Sequence, residues 1–434
     1  MTAFYELIDK AVQEGVAPGL VLIAGDKTEI SGKLNYSKTF GNTSLNGAGD
    51  IQQKQQQPQP MSAKDSVFTW MSLTKLPTAV AILQLVEQGR LSLDADVADQ
   101  LPELAAQPVI NTTTTTSSDD DDDDDGEAKH TLVPRHAAIT LRHLLCHTSG
   151  LQYPFIPGPL AAYYARQAKA GGEGFDMAKR RARVQERFGV PLVFEPGRGW
   201  CYGPGLDWAG LLLERTVGES LDAYVKRSVW APLGVDEGEM PSYFPKPTSS
   251  GNNVATSARG PDGKMVGVPD IAAPPAPEAA FGGEGMRGTM ETFVRLLRSL
   301  ALDDGVLLRP ETAALLFEPQ LRGRWDASKT ALRDLLAGAD WLSGVAPPQG
   351  DEYDWGLGGL LVDGDSHAYR RPGCLIWSGM FNSSWFIDRE AGVYGVFGTQ
   401  CLPPGDSPIR NLTEAFQEEV YRMADKLSKS KSLL

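Results

Sequence analysis

The sequence predicts an α/β fold in which strands from both ends of the chain build one sheet, with a mainly helical subdomain inserted between them. Short strand-like runs occur near the N-terminus and again in the last quarter of the chain, whereas the middle has the apolar spacing of helices. A final amphipathic helix closes the chain. This order predicts that residues 1–434 form one domain, with an α/β part at 1–106 and about 280–434 and the helical subdomain at about 130–279.

Each element follows from its local pattern. Val21–Ala24 and Lys38–Gly41 predict short strands, and Thr78–Gln88 predicts a helix that ends at Gly89, a residue suited to a C-cap. In the middle of the chain, helices are predicted at Leu141–Cys146, Ala161–Arg187, Leu206–Thr216 and Leu221–Trp230. In the last part, strands are predicted at Trp355–Val362, Leu375–Trp377, Ser384–Ile387 and Gly392–Gly398, before a helix at Ile409–Leu427.

Three stretches predict loops. Gln52–Pro60 is polar and of low complexity. Asn111–Lys129 holds five threonines and the seven consecutive aspartates Asp119–Asp125. Because such a run repels itself and buries no surface, we expect a disordered loop over 111–129, with a calcium site as the sharper alternative. Pro241–Pro277 is long and irregular, which suits a lid or a surface wrap.

The composition excludes several classes of protein. A hydrophobic content of 41% excludes disorder throughout, and a net charge of −14 argues against a nucleic-acid partner. No apolar stretch approaches the roughly 18 residues that span a bilayer, so we expect no membrane partner. The four cysteines form no C-x-x-C pair, which predicts a reducing, cytoplasmic location. The final Ser-Leu-Leu only weakly resembles a peroxisomal signal, and the oligomeric state stays open.

Ser72 and Lys75 are the strongest candidates for catalysis. Apolar residues lead into Ser72, and on a helix a lysine three positions later lies on the same face. A serine hydroxyl needs a base to become a nucleophile, and a lysine removed from water can serve because burial disfavours its charged form. The same S-x-x-K spacing recurs at Ser428, but only Ser72 follows an apolar segment and opens a helix. Alone, the spacing is equally typical of a helix cap beside a surface lysine.

Further segments occur in an order that resembles the serine β-lactamase and penicillin-binding superfamily, in which S-x-x-K carries the nucleophile. They lie at Thr140–Leu151, Phe194–Gly197, Tyr202–Gly205, Phe281–Met286 and Trp377–Met380. The chain is most similar to the lovastatin-type fungal acyltransferases, which are transesterases of this fold. The resemblance runs from about Pro18 to about Gly398 and implies a β-lactamase/transpeptidase-like antiparallel sheet flanked by helices.

The resemblance also implies the roles of the site residues. Ser72 is expected to be the acylated nucleophile, Lys75 its base and Tyr202 the partner that shuttles the proton. The oxyanion hole is expected from the Ser72 amide and an amide near Gly379 or Met380. Trp377, Trp70 and Tyr153 are assigned to substrate binding. No cofactor and no metal are expected, and the partners are a small-molecule acceptor and an acyl donor, namely an acyl-CoA, an acyl carrier protein or a small thioester.

Two departures from the penicillin-recognising relatives are informative. Trp377 stands where they have the lysine of K-T-G, so the charge that would hold a β-lactam carboxylate is missing, and an indole suggests an apolar pocket wall. Pro204 stands where they have an asparagine amide. Both changes disfavour β-lactam hydrolysis. The resemblance implies acyl transfer from a thioester or ester donor to an alcohol of a small metabolite, in secondary or polyketide metabolism. Hydrolysis as an esterase or lactonase, and a catalytically silent binding protein, stay as alternatives.

Three other signals receive the plainer interpretation. Gly283–Gly288 spells G-x-G-x-x-G but follows a proline-rich stretch where a dinucleotide site needs a strand, so we expect close backbone packing. His143 and His147 lie four residues apart, yet no third ligand for zinc is placed, and His147 is assigned to the turn before the active-site wall. Lys179–Arg187 is interpreted as a solvated helix face, with a docking patch for an acidic carrier as the alternative.

Overall fold

The computed structural model describes residues 2–27, 34–45, 58–113, 129–171, 174, 182–244, 252–269, 278–338, 353–365 and 367–431. The aspartate run Asp119–Asp125 lies outside the described residues, as does most of the glutamine-rich run Gln52–Pro60. The predictions of a disordered loop over 111–129 and of its calcium alternative therefore stay predictions.

The helices are α1 Thr2–Gln13, α2 Lys75–Glu87, α3 Pro102–Ala105, α4 Leu141–Leu145, α5 Pro159–Lys169, α6 Val184–Phe188, α7 Gly205–Val217, α8 Leu221–Val225, α9 Met290–Leu302, α10 Pro310–Ala314, α11 Asp326–Ala337 and α12 Ser407–Lys431. The strands are β1 Gly19–Asp26, β2 Asn35–Gly41, β3 Phe68–Thr69, β4 Val109–Thr113, β5 Lys129–Val133, β6 Ser257–Arg259, β7 Met265–Gly267, β8 Arg287–Gly288, β9 Tyr353–Trp355, β10 Leu360–Val362, β11 Leu375–Ser378, β12 Ser384–Asp388, β13 Val393–Gly398 and β14 Cys401–Leu402. In the parts of the chain described, no helix is both long and apolar enough to cross a membrane.

One seven-stranded sheet combines the two ends of the chain, as predicted. Its order is β2-β1-β13-β12-β11-β10-β9, and each neighbouring pair is antiparallel. The central contact joins N-terminal β1 to C-terminal β13, with Leu22 opposite Phe397. The first and last parts of the sequence must therefore associate before this sheet can form.

Helices cover both faces of the sheet. On β13 the ring of Phe397 lies 6.2 Å from that of Phe416 in α12. A Cβ placed on the next residue, Gly398, would lie 2.6 Å from Met290 of α9. Because successive residues of a strand point to opposite faces, α12 and α9 lie on opposite sides of the sheet. This is the flanked sheet that the sequence predicts.

The helix after Ser72 differs in detail from the prediction. A 3₁₀ turn spans Met71–Thr74, and the α-helix begins only at Lys75. Ser72 therefore lies inside the turn and makes no capping bond, so the alternative of a helix cap beside a surface lysine does not hold. Pro77 does not break α2, because it occupies the first helical turn, where its missing N–H would have no intrahelical partner.

Glycines account for two further differences. The strand predicted at Trp355–Val362 is a hairpin of β9 and β10, because the Gly-rich connection turns where the Gly356 amide donates to the Gly359 carbonyl. The helix predicted at Ala161–Arg187 ends at Lys169, followed by Gly171 with φ 80°, and helix resumes only at Val184–Phe188. Most of the residues between these two helices are not described.

The stretch Pro241–Pro277 is less irregular than predicted. Its described part contains β6 and β7, which join β14 in a three-stranded sheet. The Val67 amide donates to the Asn252 carbonyl, and the Val254 amide donates to the Val67 carbonyl. These bonds hold the described part of the stretch against the residues that precede β3, so it is a wrap and not a free lid.

The glycine cluster near residue 283 packs closely, as the sequence predicts. A Cβ on Gly282 would lie 2.2 Å from the Leu206 carbonyl oxygen of α7 and 2.9 Å from the Thr78 side chain of α2. The loop before β8 can therefore enter the space between α2 and α7 only because glycine has no side chain.

We expect Gly282→Ala to lower the free energy of unfolding by about 1–3 kcal/mol, because the added methyl group overpacks a backbone contact. Urea denaturation followed by circular dichroism measures this. The matched control is Gly238→Ala, because a Cβ there meets nothing within 4 Å. Equal stability of the two variants would contradict the close-packing interpretation.

Candidate active site

Ser72 lies on a strained turn that is fixed from several sides. Met71, the residue before it, has φ 47°, a left-handed conformation that a non-glycine side chain rarely adopts. The Trp70 amide donates to the Met286 carbonyl, and the Leu73 amide donates to the Trp70 carbonyl. Backbone strain of this kind persists only where the surrounding structure enforces it, and it concentrates at functional sites. Sequence reasoning did not identify Met71, because its conformation depends on these long-range contacts.

Lys75 extends its amine into the protein interior and is only 3% exposed. Its Nζ donates to Ser72 Oγ at 3.1 Å, to Tyr153 Oη at 3.2 Å and to the Gly283 carbonyl at 2.8 Å. These three polar partners surround the nitrogen of Lys75. Lys75 is therefore held in one orientation against the serine oxygen.

Tyr202 is the second group on the serine. Its Oη donates to Ser72 Oγ at 2.7 Å, and Lys75 Nζ lies 4.8 Å from the centre of the Tyr202 ring. Two donors thus converge on Ser72 Oγ, and both stabilise the negative charge that forms when the oxygen loses its proton. The structure brings together Ser72, Lys75 and Tyr202, the three residues for which sequence predicts the central roles.

Aromatic rings surround Tyr202 on the protein side. The ring of His147 lies 4.8 Å from that of Tyr202 and also contacts Trp200 and Trp355. Burial, with a smaller effect of the Lys75 charge, holds the pKa of His147 well below its usual range, so its ring is neutral. Its Nδ1 accepts the Gly203 amide at 3.3 Å, which fixes the backbone beside Tyr202.

Trp377 differs from its predicted role. It is 2% exposed and packs against Tyr202 and Trp355, so it offers little open surface as a pocket wall. Its Nε1 instead donates to Tyr202 Oη at 3.2 Å. The indole at the position of the K-T-G lysine therefore holds the tyrosine hydroxyl and stabilises charge on its oxygen.

The hairpin loop between β11 and β12 narrows the choice of oxyanion donor. The Gly379 amide is already used, since it donates to the Ser383 carbonyl at 2.7 Å. The Met380 amide has no acceptor within the described parts of the chain, and neither does the Ser72 amide in the 3₁₀ turn. Asn382, with φ 64°, anchors the loop by donating to the Cys401 and Pro403 carbonyls. Met380 is therefore the better candidate than Gly379.

For Trp70 and Tyr153 the sequence predicts substrate binding, but the structure places neither on a substrate-facing surface. Trp70 is 0% exposed, packs edge-on against Trp230 and Phe293, and donates to the Gly288 carbonyl, so it belongs to the core behind Ser72. Tyr153 accepts a hydrogen bond from Lys75 Nζ and is buried, which places it within the hydrogen-bond network and not on a substrate-facing surface.

The profile of the β-lactamase family matches residues 5–418. The chain belongs to the β-lactamase family. It is 33% identical over 414 residues to monacolin J acid methylbutanoyltransferase of Aspergillus terreus, which covers 95% of this chain and 93% of that protein. It is 33% identical over 417 residues to a lovastatin esterase of Penicillium rubens, over 95% of this chain and 96% of that protein.

Solved structures agree that the chain belongs to the β-lactamase family. A mutant of simvastatin synthase from Aspergillus terreus superposes with a TM-score of 0.81 at 30% identity, over 98% of this chain and 95% of that one. The relatives are serine acyltransferases and esterases, and this chain is an enzyme of the same kind. Among the described residues, no cluster of three or more His, Cys, Asp or Glu side chains is arranged to hold a metal.

We expect Trp377→Phe to lower kcat about tenfold, roughly 1.4 kcal/mol, because the donor to Tyr202 Oη is lost while an aromatic ring stays at the position. Steady-state kinetics with an activated ester measures this. Trp70→Phe is the matched control, since it also removes an indole hydrogen bond but in the core, and its kcat should stay within about twofold. A larger loss of kcat in Trp70→Phe than in Trp377→Phe would contradict these placements.

Proposed function

We propose that this enzyme transfers an acyl group from a thioester or ester donor to an alcohol of a small metabolite, through an ester on Ser72. The observation that carries the proposal is the convergence of Lys75 Nζ, at 3.1 Å, and Tyr202 Oη, at 2.7 Å, on Ser72 Oγ. A serine hydroxyl becomes a nucleophile when an adjacent base takes its proton, and this arrangement supplies one.

Acylation uses these three residues in turn. Lys75 takes the hydroxyl proton of Ser72 while Oγ attacks the carbonyl carbon of the donor, whose oxygen becomes negative. The amides of Ser72 and Met380 stabilise this oxyanion. The bond to the leaving sulfur or oxygen then breaks, and the leaving group takes a proton from Tyr202. The proton that Lys75 took from Ser72 then passes to Tyr202, and the acyl group remains on Ser72.

Transfer to the acceptor reverses the same chemistry. The acceptor hydroxyl loses its proton to the Lys75–Tyr202 pair as its oxygen attacks the ester carbonyl on Ser72. The tetrahedral intermediate collapses, the bond to Ser72 Oγ breaks, and Oγ recovers a proton. Ser72, Lys75 and Tyr202 end in the protonation states in which they began, and neither a metal nor a cofactor takes part.

Transfer to an alcohol is the first candidate, in preference to hydrolysis. The relatives named as a methylbutanoyltransferase and as an acyltransferase of Penicillium decumbens support the same choice. Hydrolysis is the second candidate, because the equally similar lovastatin esterase shows that this framework also serves esterases.

The acceptor is proposed to be largely apolar. Phe155 is 51% exposed, and its ring stacks on Tyr153 with centroids 5.1 Å apart. Tyr153 in turn accepts a hydrogen bond from Lys75, so the exposed ring of Phe155 lies near the site. It offers apolar contact area to a substrate. The name of the monacolin J acid relative supports a polyketide-derived acceptor. The donor is proposed to be an acyl-CoA, an acyl carrier protein or a small thioester.

We expect Ser72→Ala to abolish covalent labelling by a fluorophosphonate while the protein stays folded, because Lys75 keeps two of its three hydrogen-bond acceptors and the turn makes no capping bond through this side chain. Intact-mass measurement detects the adduct. Ser428→Ala is the matched control, since Ser428 starts the second S-x-x-K of the chain on the exposed end of α12 and should be labelled as the wild type is. Labelling of Ser72→Ala at the wild-type rate would refute the assignment of the nucleophile.

We expect Lys75→Met and Tyr202→Phe each to lower kcat/KM by about a hundredfold or more, and the double variant to be little worse than either. The reason is that the two groups move one proton between them. A double-mutant cycle on ester turnover, with unfolding curves for each variant, measures the coupling. Losses that multiply would show that the two residues act independently.

A further inference from the structure

Asp207 is a buried carboxylate that the steps above do not use. It is the third residue of α7 and is 0% exposed. Its Oδ1 accepts the Gly283 amide at 3.0 Å, and its Oδ2 accepts the Tyr153 hydroxyl at 3.3 Å. No lysine or arginine in the described parts of the chain forms an ion pair with it. A buried charge without an ion pair is costly, so its presence here needs a reason.

Both groups that bind Asp207 also bind the catalytic amine. Tyr153 Oη accepts from Lys75 Nζ at 3.2 Å, and the Gly283 carbonyl accepts from it at 2.8 Å. The carboxylate is thus joined to Lys75 by two routes, one through the tyrosine hydroxyl and one through the residue Gly283. In the first route, the Tyr153 proton points to Asp207, so a lone pair of the same oxygen is left to face Lys75.

The surroundings leave this network little freedom. A Cβ on Gly283 would lie 2.6 Å from Asp207 Oδ2 and 2.9 Å from Tyr153 Oη, so the backbone is pressed against both groups. The ring of Tyr153 is stacked on Phe155 and meets the edge of Phe188. The hydroxyl of Tyr153 therefore keeps its position between Asp207 and Lys75.

We propose that Asp207 is a positioning residue that acts through Tyr153 and Gly283. It holds Lys75 Nζ against Ser72 Oγ and supplies the buried negative charge that stabilises the ammonium formed when Lys75 takes the Ser72 proton. This deepens the proposed function and rests on it. The aspartate of a Ser-His-Asp triad plays the same part for its histidine and stays ionised throughout. No proton is transferred to Asp207 in this step.

The charge of Asp207 depends on pH within the working range. Lys75 faces it from α2, Arg187 from α6, Glu284 from the loop before β8, and the hydroxyls of Tyr153 and Tyr243 from their loops. Burial, and then the charge of Glu284, raise the pKa of Asp207 to about 6, against the lowering effect of Lys75. As the pH falls through about 6, the carboxylate takes up a proton and its charge is lost.

The test compares pH profiles of kcat/KM for ester turnover by the wild type and by Asp207→Asn, from about pH 4.5 to about pH 9. Above pH 7 we expect the variant to be slower by about tenfold or more. Below about pH 6 the ratio of the wild-type rate to the Asp207→Asn rate should fall towards one, because protonation removes the same charge from the wild type. The ratio of the wild-type rate to the Tyr153→Phe rate should fall in the same way. Asp388→Asn is the matched control, since Asp388 is also buried and accepts a tyrosine hydroxyl, that of Tyr421.

A rate ratio for Asp207→Asn that is constant with pH would overturn the proposal, because a purely structural loss does not follow the titration of one carboxylate. Equal rates would overturn it too. If Asp207→Asn does not fold, Tyr153→Phe gives the decision by the same criterion. Fluorophosphonate labelling of Ser72 distinguishes a failure of the proposed function from a failure of the proposed role of Asp207. An unlabelled wild type contradicts the proposed function, whereas a labelled wild type with constant ratios contradicts only the role of Asp207.

Discussion

The amine of Lys75 lies inside the protein, and its three hydrogen-bond acceptors come from three separate segments: the 3₁₀ turn that holds Ser72, the loop after α4 that holds Tyr153, and the loop before β8 that holds Gly283. A buried amine without acceptors would be strongly destabilising. The fold must therefore bring these segments together, and the close approach of Gly282 to α7 shows how little room this leaves. Stability and catalytic geometry thus depend on the same contacts.

Aromatic residues pack around Tyr202. The indole of Trp377 replaces the lysine of the penicillin-recognising relatives and donates to the tyrosine hydroxyl, so the position carries a hydrogen bond and no charge. A carboxylate of a β-lactam would find no cation there, whereas the exposed ring of Phe155 offers contact to an apolar molecule. The indole at this position therefore changes both the local charge and the support of the Tyr202 hydroxyl.

Sequence could predict the parts of the site that depend on short spacing. Ser72 and Lys75 are three residues apart, and the strand pattern at both ends of the chain indicated a shared sheet. What it could not predict depends on distant contacts. Trp70 was assigned to the substrate because a tryptophan beside the nucleophile looks the same in sequence whether it faces the core or the pocket. The use of the Gly379 amide by Ser383 is a property of the hairpin, and Asp207 becomes notable only when Tyr153 and Gly283 lie beside it.

We expect an acyl group on Ser72 to pass to an alcohol faster than to water. The enzyme would be loaded with a short acyl thioester, freed of donor, and its mass followed with and without an apolar alcohol acceptor. The account predicts an acyl adduct that maps to the peptide containing Ser72, is stable in buffer, and disappears on addition of the alcohol with formation of the ester. An adduct on another residue, or loss of the adduct at the same rate with and without the alcohol, would contradict it.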